Sequence, residues 1–278
     1  MPRKKTNKNH NNKISVIIPC YNCSSTIISC LTSIINQTYL SFEIILVDDC
    51  SSDSTYKKVA EFIKKHRNYD IRYFKNKFNK GPGLSRNFGM LKSKGSLIAF
   101  LDSDDIWHPR KCEIIIDIFQ KNPNCYLLSH KQKVLSSLKK NIRLNKTNMK
   151  ISNINLQNLI FSNIIPTSSV VIKSDCIKKI KFKNKLYTED YLYWLETIQS
   201  GFSSKFIDLP LSFSHRPPYS PGGFSGSLRI HEQREIETIK FFCKKYIING
   251  FIKNIWIFWS ILKYYKRYIC IKALGIGD

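Results

Sequence analysis

The chain has 278 residues, 42% of them hydrophobic, so it is long enough to bury a substantial core, and its composition excludes a globally disordered protein. Its 45 Lys and Arg residues outnumber 20 Asp and Glu residues, a formal net charge of +25, which predicts attraction to nucleic acid, an anionic membrane surface or phosphate-rich substrates. The nine cysteines have no regular spacing and no apolar signal peptide precedes them, so we expect reduced thiols in a cytosolic protein.

The first half of the chain alternates predicted strands with predicted helices. A basic, Asn-rich segment over residues 1–13 is expected to be disordered. Beyond it, apolar patterns predict strands over residues 14–18, 43–47, 71–74 and 96–101, and helices over residues 26–36, 54–66, 85–92 and 110–121. This alternation, with continuously apolar strands, predicts an α/β fold with a mostly parallel central sheet and helices on both faces.

The second half carries a weaker pattern. Residues 131–155 are polar and basic, and we interpret them as a variable excursion. The other predicted elements are strands over residues 125–129 and 168–172, a helix from Thr188, a loop rich in Pro, Gly and Ser over residues 215–227, and a helix over residues 229–246. We therefore expect one α/β domain made of two halves, residues 14–130 and 131–246.

Residues 247–278 are predicted to form an amphipathic helical tail. The segment has no uncharged run long enough for a transmembrane helix. Aromatic residues interleaved with bases favour a helix that lies in a membrane interface: Trp256, Phe258, Trp259, Tyr264, Tyr265 and Tyr268. The alternative is a helix that packs on the core or at a dimer contact, and the sequence predicts no particular oligomeric state.

Three carboxylates follow the predicted strand over residues 96–101: those of Asp102, Asp104 and Asp105. They repel one another unless a cation or solvent offsets the repulsion, and hard oxygen ligands suit Mg²⁺ or Mn²⁺. Asp48 and Asp49 end a neighbouring strand, and ligands bind at the carboxyl ends of strands in such sheets, so both acidic ends should converge on one crevice. The alternative is a solvated acidic turn that caps the next segment.

Four ordered segments between Ile14 and Trp107 resemble the family 2 inverting glycosyltransferases with a GT-A fold. They read ISVIIPCYNCSSTI, EIILVDDCSSDST, NKGPGLSRNFGM and GSLIAFLDSDDIW. Farther along, TEDYLYWL around Asp190 is similar to the family's catalytic segment, and PPYSPGGFSGSL resembles a loop of some bacterial surface-polysaccharide transferases. The resemblance implies that residues 14–130 bind a nucleotide-diphospho-sugar and that residues 131–246 bind the acceptor and carry the catalytic base.

The resemblance also implies roles for single residues. Asp49 would accept a hydrogen bond from the base of the donor, and the expected neighbours of the nucleotide are Pro19, Tyr21, Asn22, Arg86 and Asn87. Asp104 would belong to the ribose or metal shell, and Asp102 or Asp105 would bind Mn²⁺ or Mg²⁺ directly, with His215 as a further candidate ligand of metal or diphosphate. The alternatives are that Asp49 caps the helix from Ser54 and that Arg86 and Asn87 lie at a solvent-facing helix start.

Asp190 is the expected general base. It would deprotonate the acceptor hydroxyl on the face opposite the leaving group, although an acidic residue in the first turn of a helix is also favoured by the helix dipole alone. The resemblance thus implies transfer from a nucleotide-diphospho-sugar, with UDP as the family's usual nucleotide, to a glycan or lipid-linked acceptor. The expected setting is bacterial cell-surface polysaccharide or lipopolysaccharide synthesis at the inner, anionic face of the cytoplasmic membrane.

Two other function classes fit the sequence less well. A sugar-1-phosphate nucleotidyltransferase would need a Gly-rich phosphate loop after the first strand, where this chain has Pro19-Cys20-Tyr21-Asn22. A basic nucleic-acid-binding protein would agree with the charge, but no RNP, helix-turn-helix or zinc-finger pattern is present. Nucleic acid is therefore not an expected partner.

Overall fold

A computed structural model describes residues 12–135, 149–184, 188–215 and 228–273. The first half consists of β1 (Ile14–Cys20), α1 (Ile27–Ile35), β2 (Phe42–Asp48), α2 (Thr55–Lys65), β3 (Ile71–Lys75), α3 (Pro82–Lys92), β4 (Leu97–Phe100), β5 (Asp105–Trp107) and α4 (Lys111–Lys121). The second half consists of β6 (Leu127–Val134), β7 (Ile151–Ile154), α5 (Leu156–Ser162), β8 (Val171–Lys173), α6 (Glu189–Gln199), β9 (Ser204–Ser214), α7 (Leu228–Lys245) and α8 (Gly250–Ala273).

The described strands form one sheet in the order β3-β2-β1-β4-β8-β6-β9-β5, with β7 paired to β9. β1 pairs in parallel with β2 and β4, and β2 with β3, so the parallel pairing predicted from the alternation is confirmed for the first half. The second half adds antiparallel pairs of β8 with β4 and β6, and of β9 with β5 and β7. The α/β class with a central sheet is confirmed, and the sheet as a whole is mixed.

Alternate residues of the central strands supply two cores, one on each face of the sheet. Val16 and Ile18 of β1 face a core shared with α1, α2 and α4, whereas Ile17 faces a core shared with α6 and α7. This follows from the two-residue period of a strand, in which both faces must be apolar when helices cover both sides. The prediction of helices on both faces is therefore confirmed.

Three strands were not predicted from the sequence. β9 contains Pro210, which pairs with Lys131 at a register shift in β6, and a proline within a run weakens a strand prediction. β5 has three residues and directly follows the acidic turn. β7 lies within the predicted excursion over residues 131–155, where exposed polar residues hide the pattern; residues 136–148 of that excursion lie outside the described residues.

The ends of the domain differ slightly from the predictions. Order begins by Asn12, whose carbonyl accepts a hydrogen bond from Tyr39 Oη at 3.0 Å, and Lys13 Nζ lies 2.9 Å from Asp70 Oδ2. The rest of the predicted disordered tail, residues 1–11, lies outside the described residues, as does most of the predicted loop over residues 215–227. Of the segment PPYSPGGFSGSL, only the last residue, Leu228, is among the described residues.

The predicted C-terminal helical tail is present as α8, and it packs by one face on the domain. Glu235 of α7 is buried and accepts a hydrogen bond from Lys263 Nζ at 2.6 Å. Ser260 Oγ donates to Glu232 Oε1 at 2.8 Å, and Trp259 Nε1 donates to the carbonyl of Phe161 in α5 at 3.0 Å. None of the helices that the structure describes combines the length and apolar character needed to cross a bilayer.

Candidate functional site

The two acidic strand ends lie at the same edge of the sheet, as predicted. β1 lies between β2 and β4, and the three strands are parallel, so the loops that follow them open on one crevice. Asn22, after β1, has a left-handed φ of 47°, and its Oδ1 accepts a hydrogen bond from Ser52 N at 2.9 Å. This contact joins the loop after β1 to the loop after β2.

The two predicted neighbours of the nucleotide beside Asn22 differ in exposure. Tyr21 is 55% exposed, so its ring is available to a ligand in the crevice. Pro19, by contrast, is buried within β1 opposite Val47. Pro19 therefore lies in the sheet, and the exposed residues that follow it are Tyr21 and Asn22; contact of Pro19 with the ligand stays a prediction.

Asp49 is buried and organises the segment that leads into α3. Its Oδ1 accepts hydrogen bonds from Asn76 Nδ2 and Lys80 N, both at 2.9 Å, and its Oδ2 accepts one from Gly81 N at 2.6 Å. The alternative in which Asp49 caps the second helix is wrong, because Thr55 N at the start of α2 donates to Asp53 instead.

Arg86 of α3 is buried between two carboxylates. One terminal nitrogen donates to Asp102 Oδ1 at 2.6 Å, and the other lies 3.7 Å from Glu189 Oε1. The alternative of a solvent-facing helix start is thus wrong for this residue, which is 4% exposed. Arg86 connects the acidic end of β4 to the start of α6.

Asn87 of α3 binds the segment before α6. Its Nδ2 donates to the carbonyl of Phe182 at 2.8 Å, and its Oδ1 accepts from the amide of Phe182 at 2.9 Å. Both hydrogen-bonding groups of the side chain are therefore engaged by the segment before α6. The amide of Asn87 thus fastens α3 to this segment, and its contact with the nucleotide stays a prediction.

Glu189 packs against the first turn of α3. A Cβ atom added to Gly83 would lie 2.7 Å from Glu189 Cγ and 2.9 Å from the carbonyl oxygen of Lys183, so this approach requires glycine. Burial and, after it, the charge of Asp190 raise the pKa of Glu189 to about 7, and the charge of Arg86 opposes this shift. Sequence reasoning assigned no separate role to Glu189.

Asp190 lies in the first turn of α6 and is partly exposed. Its Oδ2 accepts a hydrogen bond from Thr167 Oγ1 at 2.9 Å. Thr167 begins a 3₁₀ turn, Thr167–Ser169, whose next residue, Ser168, accepts a hydrogen bond at Oγ from Asp102 N at 3.0 Å. One short turn therefore contacts both Asp190 and the acidic end of β4, and sequence reasoning missed it because PTSS matches no motif.

The three aspartates of the acidic turn have different surroundings. Asp105 is buried at the start of β5 and accepts a hydrogen bond from Gln132 Nε2 at 2.6 Å. Burial, followed by the charges of Asp102 and Asp104, raises the pKa of Asp105 to about 7. The Asp102 side chain is 34% exposed and Asp104 is partly exposed, so these two carboxylates are the accessible ones.

A buried lysine lies beneath the acidic turn. Lys111 Nζ donates to the carbonyl of Ser168 at 2.8 Å and lies 3.7 Å from the centre of the Trp107 ring. Burial lowers the pKa of Lys111 well below its usual value. This lysine supports the 3₁₀ turn from below, and nothing in the local sequence distinguishes it from the other basic residues.

The predicted metal ligands are not gathered into a preformed cage. Among the residues that the structure describes, no group of three or more His, Cys, Asp or Glu side chains is arranged to hold a metal ion. His215 follows Ser214, which pairs with Asp105, but its Nε2 lies 3.4 Å from Ser29 Oγ. Mg²⁺ is commonly held by one or two carboxylates together with substrate phosphates, so the accessible carboxylates of Asp102 and Asp104 fit a cation that arrives with a diphosphate.

Comparison with known proteins identifies relatives of this chain. The profile of the family described as Glycosyl transferase family 2 matches residues 15–175. The chain is 29% identical over 248 residues to the E. coli protein named UDP-Glc:alpha-D-GlcNAc-diphosphoundecaprenol beta-1,3-glucosyltransferase WfaP, covering 87% of this chain and 95% of WfaP. Several other curated relatives are longer, and the chain matches less than half of their length.

Two solved structures have a similar fold. S. aureus TarS 1-349, in complex with UDP-GlcNAc, superposes with a TM-score of 0.67 at 19% identity, covering 88% of this chain and 70% of TarS. The mannosyltransferase PcManGT from Pyrobaculum calidifontis, in complex with GDP-Man and Mn²⁺, gives a TM-score of 0.67 at 15% identity, covering 97% of this chain and 77% of PcManGT. At these identities the likeness concerns the fold.

Proposed function

Because the chain belongs to glycosyl transferase family 2 and is a glycosyltransferase, we propose that it transfers a sugar from a UDP-sugar, with inversion, to a hydroxyl of a lipid-linked glycan. The observation that carries this proposal is the 3₁₀ turn Thr167–Ser169, which contacts both Asp190 and the acidic end of β4. Transfer needs a base and a diphosphate site at one place, and these two contacts supply such a place.

The donor half of the crevice accounts for recognition of the nucleotide. A carboxylate has about four acceptor positions, and Asp49 uses three of them for Asn76, Lys80 and Gly81. The remaining position can accept the ring N–H of a uracil. Tyr21 and Asn22, at the exposed end of β1, flank the same opening and contact the base and ribose in this proposal.

Charge neutralisation at the diphosphate is assigned to the acidic turn. Mn²⁺ or Mg²⁺, if held there, would supply positive charge to the diphosphate, whose full charge develops as the bond to the sugar breaks. Asp102 and Asp104 hold the cation, and His215, beside this turn, contacts the diphosphate. Arg86 holds Asp102 in place from the opposite side.

Asp190 acts as the general base. Its two carboxylate oxygens are oriented by Thr167 Oγ1 and by the amide of Tyr191, and the N-terminal end of α6 favours negative charge. The carboxylate takes the proton from the acceptor hydroxyl as the oxygen attacks the anomeric carbon, and UDP leaves from the opposite face. A single displacement of this kind inverts the anomeric configuration.

The acceptor and the setting follow from the relatives. WfaP is named for a substrate that carries diphosphoundecaprenol, so we assign this chain a lipid-linked acceptor in bacterial surface-polysaccharide synthesis, at the inner face of the cytoplasmic membrane. The formal charge of +25 agrees with work beside an anionic surface.

A comparison of the wild type with Asp190→Asn tests the proposal. The variant should bind UDP with Mn²⁺ as tightly as the wild type, measured by thermal stabilisation, and should lose about 10²–10⁴-fold in kcat for transfer to a lipid-linked acceptor. NMR of the product anomer tests inversion in the wild type. Undiminished turnover by Asp190→Asn would contradict the assignment of the base, and absence of stabilisation by any nucleotide with Mn²⁺ would contradict the donor.

A further inference from the structure

The outward side of α8 is apolar along its whole length. Its exposed large side chains recur at spacings of four and three residues, which places them on one face of the helix: Phe251, Ile255, Phe258, Leu262, Tyr265 and Ile269. We call these six residues the outer face of α8. The outer face is about 27 Å long at 1.5 Å per residue, and no described residue covers it.

The opposite side of the same helix is already fixed to the protein. Ser260 and Lys263 are bound to Glu232 and Glu235 of α7, and Trp256 packs into the second core. The packed side of α8 is therefore opposite the outer face, and the outer face takes no part in this packing. A soluble protein rarely exposes a contiguous apolar surface of this length without a partner for it.

The charges of α8 select the partner. The helix has five basic residues and no acidic one. Lys263 and Arg267 pair with Glu235 on the packed side, whereas Lys266 and Lys272 are exposed beside the outer face. A helix partner in a second copy would bring these lysines against like charges, whereas anionic lipid headgroups complement them.

The aromatic residues favour the same partner. Trp259 and Tyr268, at the margins of the outer face, are 39% and 42% exposed, and rings with one apolar and one polar end suit the headgroup region of a bilayer. Ile247, in the turn before α8, is 93% exposed. From these observations we propose that the outer face of α8 docks the protein on an anionic lipid bilayer, with the helix lying in the plane of the interface.

This inference rests on the proposed function only for its purpose, since docking would place the crevice at the surface where a lipid-linked acceptor resides. It deepens that function by assigning the attachment to one helix face. Experiments can contradict the docking proposal and the proposed function separately, because vesicle binding requires no donor, metal or Asp190.

Binding to vesicles of phosphatidylcholine, with and without about one third phosphatidylglycerol, tests the proposal. The full-length wild type should float with the anionic vesicles, and Phe258→Glu/Leu262→Glu should bind at least tenfold more weakly. Leu91→Glu, which adds one negative charge where the double variant adds two, at an apolar residue of α3 that is 72% exposed, should lose about fivefold or less. Lys266→Gln/Lys272→Gln should lose on the order of fivefold per lysine on anionic vesicles only.

Two further readouts keep the outcome unambiguous. Both α8 variants should keep the wild-type thermal stabilisation by UDP with Mn²⁺, and Asp190→Asn should keep vesicle binding. In the wild type, brominated lipids should quench a fluorescence component that Trp259→Phe removes. Equal vesicle binding by wild type and Phe258→Glu/Leu262→Glu would overturn the proposal, as would a wild-type dimer that this variant dissociates without loss of vesicle binding.

Discussion

Replacing Arg86 by methionine should destabilise the protein by about 3 kcal/mol near pH 8. The substitution keeps the length of the aliphatic stem and removes a buried cation that lies 2.6 Å from Asp102 Oδ1 and 3.7 Å from Glu189 Oε1. Removing one partner of a buried pair costs about 3–5 kcal/mol. Because the Asp102 side chain is 34% exposed, solvent offsets part of the loss, and we expect a value at the lower limit.

The size of this loss should depend on pH. The pKa of Glu189 is raised by burial to about 7, above its ordinary value of 4.5, so the folded protein binds more protons than the unfolded chain between these values, and stability falls as pH rises through that window. Arg86 lowers this pKa, so the variant should continue to lose stability above pH 7. Each further unit by which the pKa rises adds about 1.4 kcal/mol to the difference at high pH.

Urea unfolding of wild type and variant at pH 5.5 and pH 8 measures both effects. Arg110→Met is the matched control, because Arg110 is 42% exposed and pairs only locally with Glu113, and loss of such a surface pair should cost less than about 1 kcal/mol at either pH. Equal losses in the two variants, or a larger loss for Arg86→Met at pH 5.5 than at pH 8, would refute the reasoning.

Two other substitutions test how α3 joins the two halves. Gly83→Ala should lower the free energy of unfolding by about 1–3 kcal/mol, because the new Cβ would meet a backbone oxygen at 2.9 Å; Gly250→Ala, with no neighbour within 4 Å, should change it by less than about 0.5 kcal/mol. Asn87→Ala should cost about 1–3 kcal/mol by leaving the amide and carbonyl of Phe182 unpaired, with an unchanged Kd for UDP in titration calorimetry. A tenfold weaker Kd for UDP at unchanged stability would instead indicate that Asn87 contacts the nucleotide.

The fold of the first half could be predicted because its local signals agree with its tertiary structure. β1, β2 and β4 are continuously apolar, and each alternates with a helix, so pattern and parallel pairing point to the same arrangement. β9 could not be predicted in this way. Its residues are buried irregularly, and its pairing with β6 tolerates Pro210 only through a register shift, a long-range accommodation that no local pattern reveals.

The candidate site likewise has residues that local sequence reveals and residues that only the tertiary structure reveals. Asp49, Asp102 and Asp190 carry recognisable sequence contexts, and the structure brings two of them together through a turn that has none. Thr167 and Ser168 act through one hydroxyl each, and hydroxyl residues are too common in loops to be distinguished by sequence. Lys111 is similar, since only its burial beneath Ser168 sets it apart from the other lysines.

The helix α3 has contacts that its motif does not reveal. Gly83 packs against Glu189. Arg86 binds Asp102 and lies beside Glu189, and Asn87 binds Phe182. Apart from Asp102, these partners belong to the second half of the chain. The resemblance implies that Arg86 and Asn87 contact the nucleotide, which stays a prediction, and the structure adds that α3 joins the segment before α6 and the start of α6 to the acidic end of β4. In the proposed reaction the base must lie within reach of a sugar held by the other half, so a helix that fixes the separation of the two halves would serve the reaction through position.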